Sequence, residues 1–173
     1  MVGNSGSGKS TLAKAIAARL RLPYVELDAI YHQAGWQPLP VGQFQSRVAE
    51  LVVWDGWVID GNYSAVRPQI WACADTVVWL DLPRWRSTAA LLRRTVRRVV
   101  TQAELWNGNR ERWRNLLSRD PAESVVVWSW RKHAEYRERY AAAAADPTLG
   151  RLTFHRLRTR GEARRLLAEL REN

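Results

Sequence analysis

The 173-residue sequence predicts an α/β domain of three layers, a parallel sheet between two layers of helices. Three observations carry this reading. Short apolar runs, Tyr24-Val25-Glu26-Leu27, Trp57-Val58-Ile59-Asp60 and Thr76 to Leu82, alternate with segments of helical periodicity, as repeated strand–helix–strand units do. Gly3-Asn4-Ser5-Gly6-Ser7-Gly8-Lys9-Ser10-Thr11 fits G-x-x-x-x-G-K-[ST] and opens directly into the amphipathic run Leu12 to Leu22. Asp28, Asp60 and Asp81 each follow a strand, on the side where an open parallel sheet gathers its ligands.

In chain order, the glycine-rich segment reads as a phosphate-binding loop of the P-loop NTPase kind. Its glycines let successive N–H groups point inward at anionic oxygens, and the positive end of the following helix reinforces them. Gly3, Asn4, Ser5, Gly6, Ser7, Gly8, Lys9, Ser10 and Thr11 are therefore the expected nucleotide-binding residues, with Lys9 on the β- and γ-phosphates and Ser10 on Mg²⁺. Only Met1 and Val2 precede Gly3, so most of the first strand is missing and a native start upstream is expected. Pro23 stops the first helix, and the strand at 24–27 delivers Asp28 at its end. Gly35, Pro38 and Pro40 mark a loop before a helix at about Gly42 to Trp54. Asp55-Gly56 turns into the strand ending at Asp60, and a short helix near Ala65 to Cys73 leads to the most apolar strand, Thr76 to Leu82. Pro83 opens a helix to about Val100. Helices are expected at Arg110 to Leu117, from Asp120-Pro121 through Ala122 to Ala145, and at Glu162 to Arg171, with a last strand at Leu152 to Leu157. One domain, residues 1–173, accommodates all of this.

Hydrophobic residues make up 46% of the chain, enough for a core, and no apolar run approaches the ~20 residues of a membrane span. No secretory leader is read before the loop, and the lone Cys73 suits a reducing cytoplasm, so a cytoplasmic protein is expected. The formal charge of +10 is unevenly spread. Residues 1–83 carry six basic and seven acidic side chains, whereas residues 84–119 carry ten arginines against Glu104 and Glu111. Such a cluster closes over polyphosphate as well as it lies along DNA.

Asp28 is a candidate to orient or deprotonate an acceptor hydroxyl, or to hold Mg²⁺ through water; its alternative is a cap. Asp60, opening Asp60-Gly61-Asn62-Tyr63, is a candidate metal-side carboxylate or acceptor contact, or an Asx-turn. Arg93 with Arg97, and Arg94 with Arg98, stand one helical turn apart and repel, which an anion would relieve. Arg93 and Arg97 are thus candidate transition-state clamps, and Arg94 and Arg98 further phosphate contacts, in a lid of about residues 93–119. Glu104 to Glu111 is either a loop that folds over a ligand or an ordered surface turn. His32, His133 and His155 lack metal-ligand spacing.

Together, Gly3 to Thr11, Glu26-Leu27-Asp28, Gly35-Trp36, Ile59 to Tyr63, Ala74 to Pro83 and Glu104 to Glu111 resemble the bacterial adenylate-kinase-related proteins of the DNA topology modulation, or FlaR, type. The resemblance spans nearly the whole chain. It implies a nucleoside-monophosphate-kinase-like fold with an arginine-bearing lid, an Asp60-Gly61 pair like that of adenylate kinases, and Arg67 near an acceptor phosphate. It also sets Arg158-Thr159-Arg160-Gly161 where such kinases pack adenine, adding Arg158 and Arg160 to the nucleotide contacts. The Asp-Gly-Phe-Pro-Arg of adenylate kinases is replaced here by Asp60-Gly61-Asn62-Tyr63-Ser64, so AMP specificity does not carry over.

The expected function is an ATP- and Mg²⁺-dependent kinase moving a γ-phosphoryl group to a small nucleotide-like or hydroxyl acceptor. The alternatives are a nucleotide-dependent DNA-associated regulator and an ATPase without a small-molecule acceptor.

Overall fold

The computed structural model describes residues 1–113, 120 and 124–170. Its elements are β1 (Val2–Gly3), α1 (Lys9–Leu20), β2 (Tyr24–Glu26), α2 (Leu27–Tyr31), α3 (Val41–Val52), β3 (Val58–Asp60), α4 (Arg67–Cys73), β4 (Thr76–Leu80), α5 (Arg84–Thr101), α6 (Val125–Ala145), β5 (Thr153–Leu157) and α7 (Arg160–Glu169). Every strand pair is parallel, in the ladders β1-β4-β5 and β2-β3. Met1 links them: its N–H donates to Ile59 O at 2.7 Å, and its carbonyl accepts from Gly61 N–H at 3.3 Å. β1 is two residues long, as its sequence implies.

The period-two alternation of β4 builds the layers. Val78 and Leu80 face a cluster with Leu12, Ala13 and Ile16 of α1, Leu157 of β5 and Leu166 of α7. Val77 and Trp79 face the other way, against Tyr136 and Tyr140 of α6 and Val2. A third cluster seats Leu27, Phe44, Val48 and Val66 around Ile59 of β3. Each such aliphatic side chain contributes about 1.5–3 kcal/mol by leaving water, which offsets the ordering of two- and three-residue strands.

The α-helices fall near where the sequence suggests, though α1 opens earlier, at Lys9, and stops earlier, at Leu20, and one α-helix is an addition. Arg21 ends α1 in the left-handed conformation, its N–H reaching the carbonyls of Ala17 and Ala18. Ser87, Leu91, Thr95 and Val99, four apart, form the buried stripe of α5. Ser124 caps α6, accepting from the Val127 N–H. The addition is α2: β2 stops at Glu26, and Asp28 sits in the first turn of a five-residue helix rather than in an open loop. The driving residue is Leu27, 1% exposed, which turns inward onto the Phe44 cluster. A helix at Arg110 to Leu117 and a start at Asp120-Pro121 fall largely outside the described residues. Among the described residues, no helix is long and apolar enough to cross a membrane.

Candidate functional site

The glycine-rich segment connects β1 to α1 and is gripped from three sides. Gly3, at φ 140°, lies so close to β4 that a Cβ would stand 2.6 Å from Leu80 O. Asn62 binds both its backbone groups, accepting from the Gly3 N–H at 3.2 Å and donating to Gly3 O at 2.6 Å, while the Tyr140 hydroxyl donates to the same Asn62 oxygen at 3.0 Å. Asn4 donates to Ser129 O on α6 at 3.2 Å, and the Ser129 hydroxyl donates to Ser5 O at 3.5 Å. Gly6, at φ 79°, rests directly on Ser87 and Leu91 of α5.

Within the segment, the Ser7 N–H donates to Asn4 O and the Leu12 N–H to Gly8 O. Helix α1 begins on left-handed Gly8 without a side-chain cap and with no acidic residue in its first turn, which leaves its positive end for an external anion. Lys9 and Ser10 open the helix half-buried, while Gly8 and Thr11 are exposed. The buried Ser7 Oγ and Asn4 Oδ1 have no hydrogen-bond partner among the described residues.

Asp60 ends β3 beside this loop and is 2% exposed. Its Oδ2 accepts from the Tyr24 hydroxyl at 3.5 Å; its Oδ1, also buried, has no partner among the described residues. Burial, then the Asp60 and Glu26 carboxylates, pushes the Tyr24 hydroxyl pKa up.

Asp28 sits next to this group, accepting from the Tyr63 hydroxyl at 2.6 Å, with His32 Nε2 at 3.4 Å from the same oxygen. Burial and then Asp28 raise the Tyr63 pKa, so the hydroxyl stays protonated and donating. Burial lowers the His32 pKa against the opposing pull of Asp28. His32 stacks on Trp106 with centroids 6.0 Å apart and meets Trp36 edge-on at 5.3 Å. The Glu104 to Glu111 loop is docked here. Asn107 donates to the carbonyls of Ala29 and His32, and Asn109 donates to Gln33 O at 2.8 Å and accepts from the Trp36 N–H at 2.8 Å. The buried Asn109 thus seals one loop to the other.

The α5 arginines separate to different places. Arg93 lines a cleft of about 420 Å³ with Gly6, Leu82, Trp85, Ala89 and Arg160. Arg98 pairs with Glu111 at 3.1 Å, and the Arg94 pKa is lowered by burial and then by the neighbouring Arg98, against the pull of Glu111, Asp28 and Glu26. Arg97 is exposed, outside that cleft. Arg158 is also exposed; its N–H donates to Glu162 Oε2 at 2.7 Å as part of the α7 cap. Arg67 is held within the protein, donating to Asn62 O at 3.4 Å with its guanidinium 5.8 Å from the Trp71 ring and 5.9 Å from that of Tyr140. Asp81, the third strand-end carboxylate, is matched by Arg156 at 2.5 Å and Arg137 at 3.4 Å. No group of three His, Cys, Asp or Glu arranged for a metal ion occurs among the described residues.

Asp28, Asp60 and the loop are recognisable in the sequence; the contacts among them are not. The Tyr24 link and the Tyr63–His32 pair are side-chain contacts across about half of the chain's first third or more, with no local pattern to announce them. His32 carried one signal: its place between an acidic strand end and Gly35-Trp36, a turn with an aromatic.

No protein-family model matches this chain. Over 96 residues, 51% of the chain, it is 29% identical to the bifunctional pantoate ligase/cytidylate kinase of Synechococcus sp., of whose length the match covers 18%. The chain is an α/β protein with a parallel sheet and a partial likeness to a protein with nucleotide-kinase activity.

Proposed function

We propose that this chain is an ATP- and Mg²⁺-dependent P-loop kinase, nucleoside-monophosphate-kinase-like in fold, that moves a γ-phosphoryl group to a small acceptor. The observation that supports it best is the uncapped, acid-free start of α1 set beside the buried carboxylate of Asp60, one of whose oxygens has no protein partner among the described residues. An anion suits the first and a hydrated cation the second, so the residues present fit a magnesium nucleotide.

In this reading the loop N–H groups and Lys9 hold the polyphosphate, while Ser10 and Asp60 hold the metal. A Mg²⁺ ion held by them would neutralise charge on the phosphates. Arg93 and Arg160, on the cleft beside Gly6, contact the nucleotide. Asp28 orients the acceptor and takes its proton as the new P–O bond forms and ADP departs with the electrons of the broken one. Lys9→Ala is expected to abolish ADP formation from Mg-ATP while leaving the urea midpoint unchanged; undiminished turnover refutes the assignment.

A second reading, a DNA-associated regulator of the topology-modulation kind, draws on Arg86, Arg93 and Arg97, exposed along one side of α5. It predicts duplex binding that weakens steeply with salt and responds to ATP; absence of binding at low salt removes it.

A further inference from the structure

A loop that binds phosphate through its N–H groups needs them aimed in fixed directions, and here a side chain contributes what a strand ordinarily would. β1 pairs with β4 through Val2 and Gly3, but among the described residues it shares no ladder with β3. On that edge the Asn62 amide accepts from the Gly3 N–H at 3.2 Å and donates to Gly3 O at 2.6 Å. A carboxamide carries the same donor and acceptor as a peptide unit, so it closes both bonds at once. Gly3 is the last residue of β1, and its setting fixes the direction in which the loop leaves the sheet.

Asn62 is itself held. Tyr140 is 0% exposed, and its hydroxyl donates to Asn62 Oδ1 at 3.0 Å. The Tyr140 ring packs on Trp79 of β4 and Tyr136 of α6, with centroids 5.9 and 6.0 Å away, so the hydroxyl is fixed in place. Turning the amide over would set its nitrogen against the Gly3 N–H and its oxygen against Gly3 O, losing both bonds. About three turns back on the same face of α6, the Ser129 carbonyl accepts from Asn4, and the Ser129 hydroxyl donates to Ser5 O. Helix α6 therefore steadies the start of the loop at two points, one of them through Asn62.

We infer that Asn62 and Tyr140 are positioning residues for the triphosphate: acting through Gly3, they aim the loop N–H groups and so set the affinity for phosphate. This rests on the kinase reading. Donors aimed before the ligand arrives need no reordering on binding, and a misplacement of about 1 Å costs up to about 10²-fold.

The test titrates the full chain and Mg²⁺ calorimetrically with a non-hydrolysable ATP analogue, and follows the Gly6 and Gly8 amide resonances by NMR. Asn62→Leu, close in shape and uncharged, removes both bonds to Gly3. Tyr140→Phe removes the hydroxyl and keeps the ring on Trp79 and Tyr136. Val48→Ala, which opens a cavity in the cluster around α3, is the control for a general loss of stability. The dissociation constant is expected to rise about tenfold or more in Asn62→Leu and about threefold or more in Tyr140→Phe. In both, the Gly6 and Gly8 resonances should already be displaced before the analogue is added, whereas Val48→Ala should bind as the wild type does. Unchanged affinity in either folded variant at Asn62 or Tyr140 overturns the inference. So does equal weakening in Val48→Ala, which would make the effect one of stability alone. Should Asn62→Leu not fold, Tyr140→Phe decides by itself. A wild-type protein that does not bind the analogue is a separate result: it removes the kinase reading, and this inference with it.

Discussion

Alanine placed at Gly6 and at Gly8 separates two costs that a glycine-rich loop usually mixes. Both positions have positive φ, 79° and 92°, so either substitution places a Cβ in the left-handed region, at a cost of about 1 kcal/mol. Their surroundings differ. A Cβ at Gly8 meets nothing within 4 Å, whereas one at Gly6 runs into the Ser87 carbonyl and stands 2.8 Å from Leu91 Cβ. Those neighbours are the backbone and buried stripe of α5, which cannot swing aside, so Gly6→Ala adds an overpacking cost of about 1–3 kcal/mol. With an m-value of about 2 kcal/mol per molar urea, the midpoint should fall by about 1.5 M for Gly6→Ala and about 0.5 M for Gly8→Ala. Urea unfolding followed by circular dichroism measures both in one series. Equal midpoints for the two variants would refute the claim that the loop is seated on α5.

Two other outcomes follow from the same contacts. Asn62→Ala strips both backbone groups of Gly3 and the Tyr140 hydroxyl of their partner, and should cost about 2–3 kcal/mol in urea unfolding, with faster amide exchange at Gly3. The half-buried His32 has a folded-state pKa below its ordinary 6.5, so the unfolded chain binds its proton more readily. The stability that neutral His32 contributes is therefore full above pH 6.5 and is lost as pH falls through the lowered folded value. The urea midpoint should drop between pH 7 and pH 5, and drop less in His32→Gln.

Much of the architecture was legible because it is written in local patterns. The β3 and β4 runs are short, apolar and bounded by turn residues, and Pro83 marks the start of α5 within a residue. Helix α2 was not legible, since five residues show no period and its cause is one leucine packing on residues of α3. At the site, the loop and its strand-end carboxylates could be picked out by type and spacing. The arginines could not be sorted, because spacing along α5 groups them in pairs while the neighbouring elements send Arg93 to the cleft and Arg94 and Arg98 towards Glu111. The Asn62 clamp joins residues 59 positions apart, and the Asn4–Ser129 contact spans 125; neither leaves a trace in any window of sequence.

The two loops sealed by Asn109 also say something about when the site comes into being. The bond from Asn109 to Gln33 spans 76 residues, so its entropy of closure is recovered only after α3, β3, α4, β4 and α5 between them have taken their places. Helices and strand pairs can assemble before it; the wall over Asp28 and His32 cannot. Competence at this site is in that sense a late acquisition of the folding chain, and a destabilised variant should lose it early.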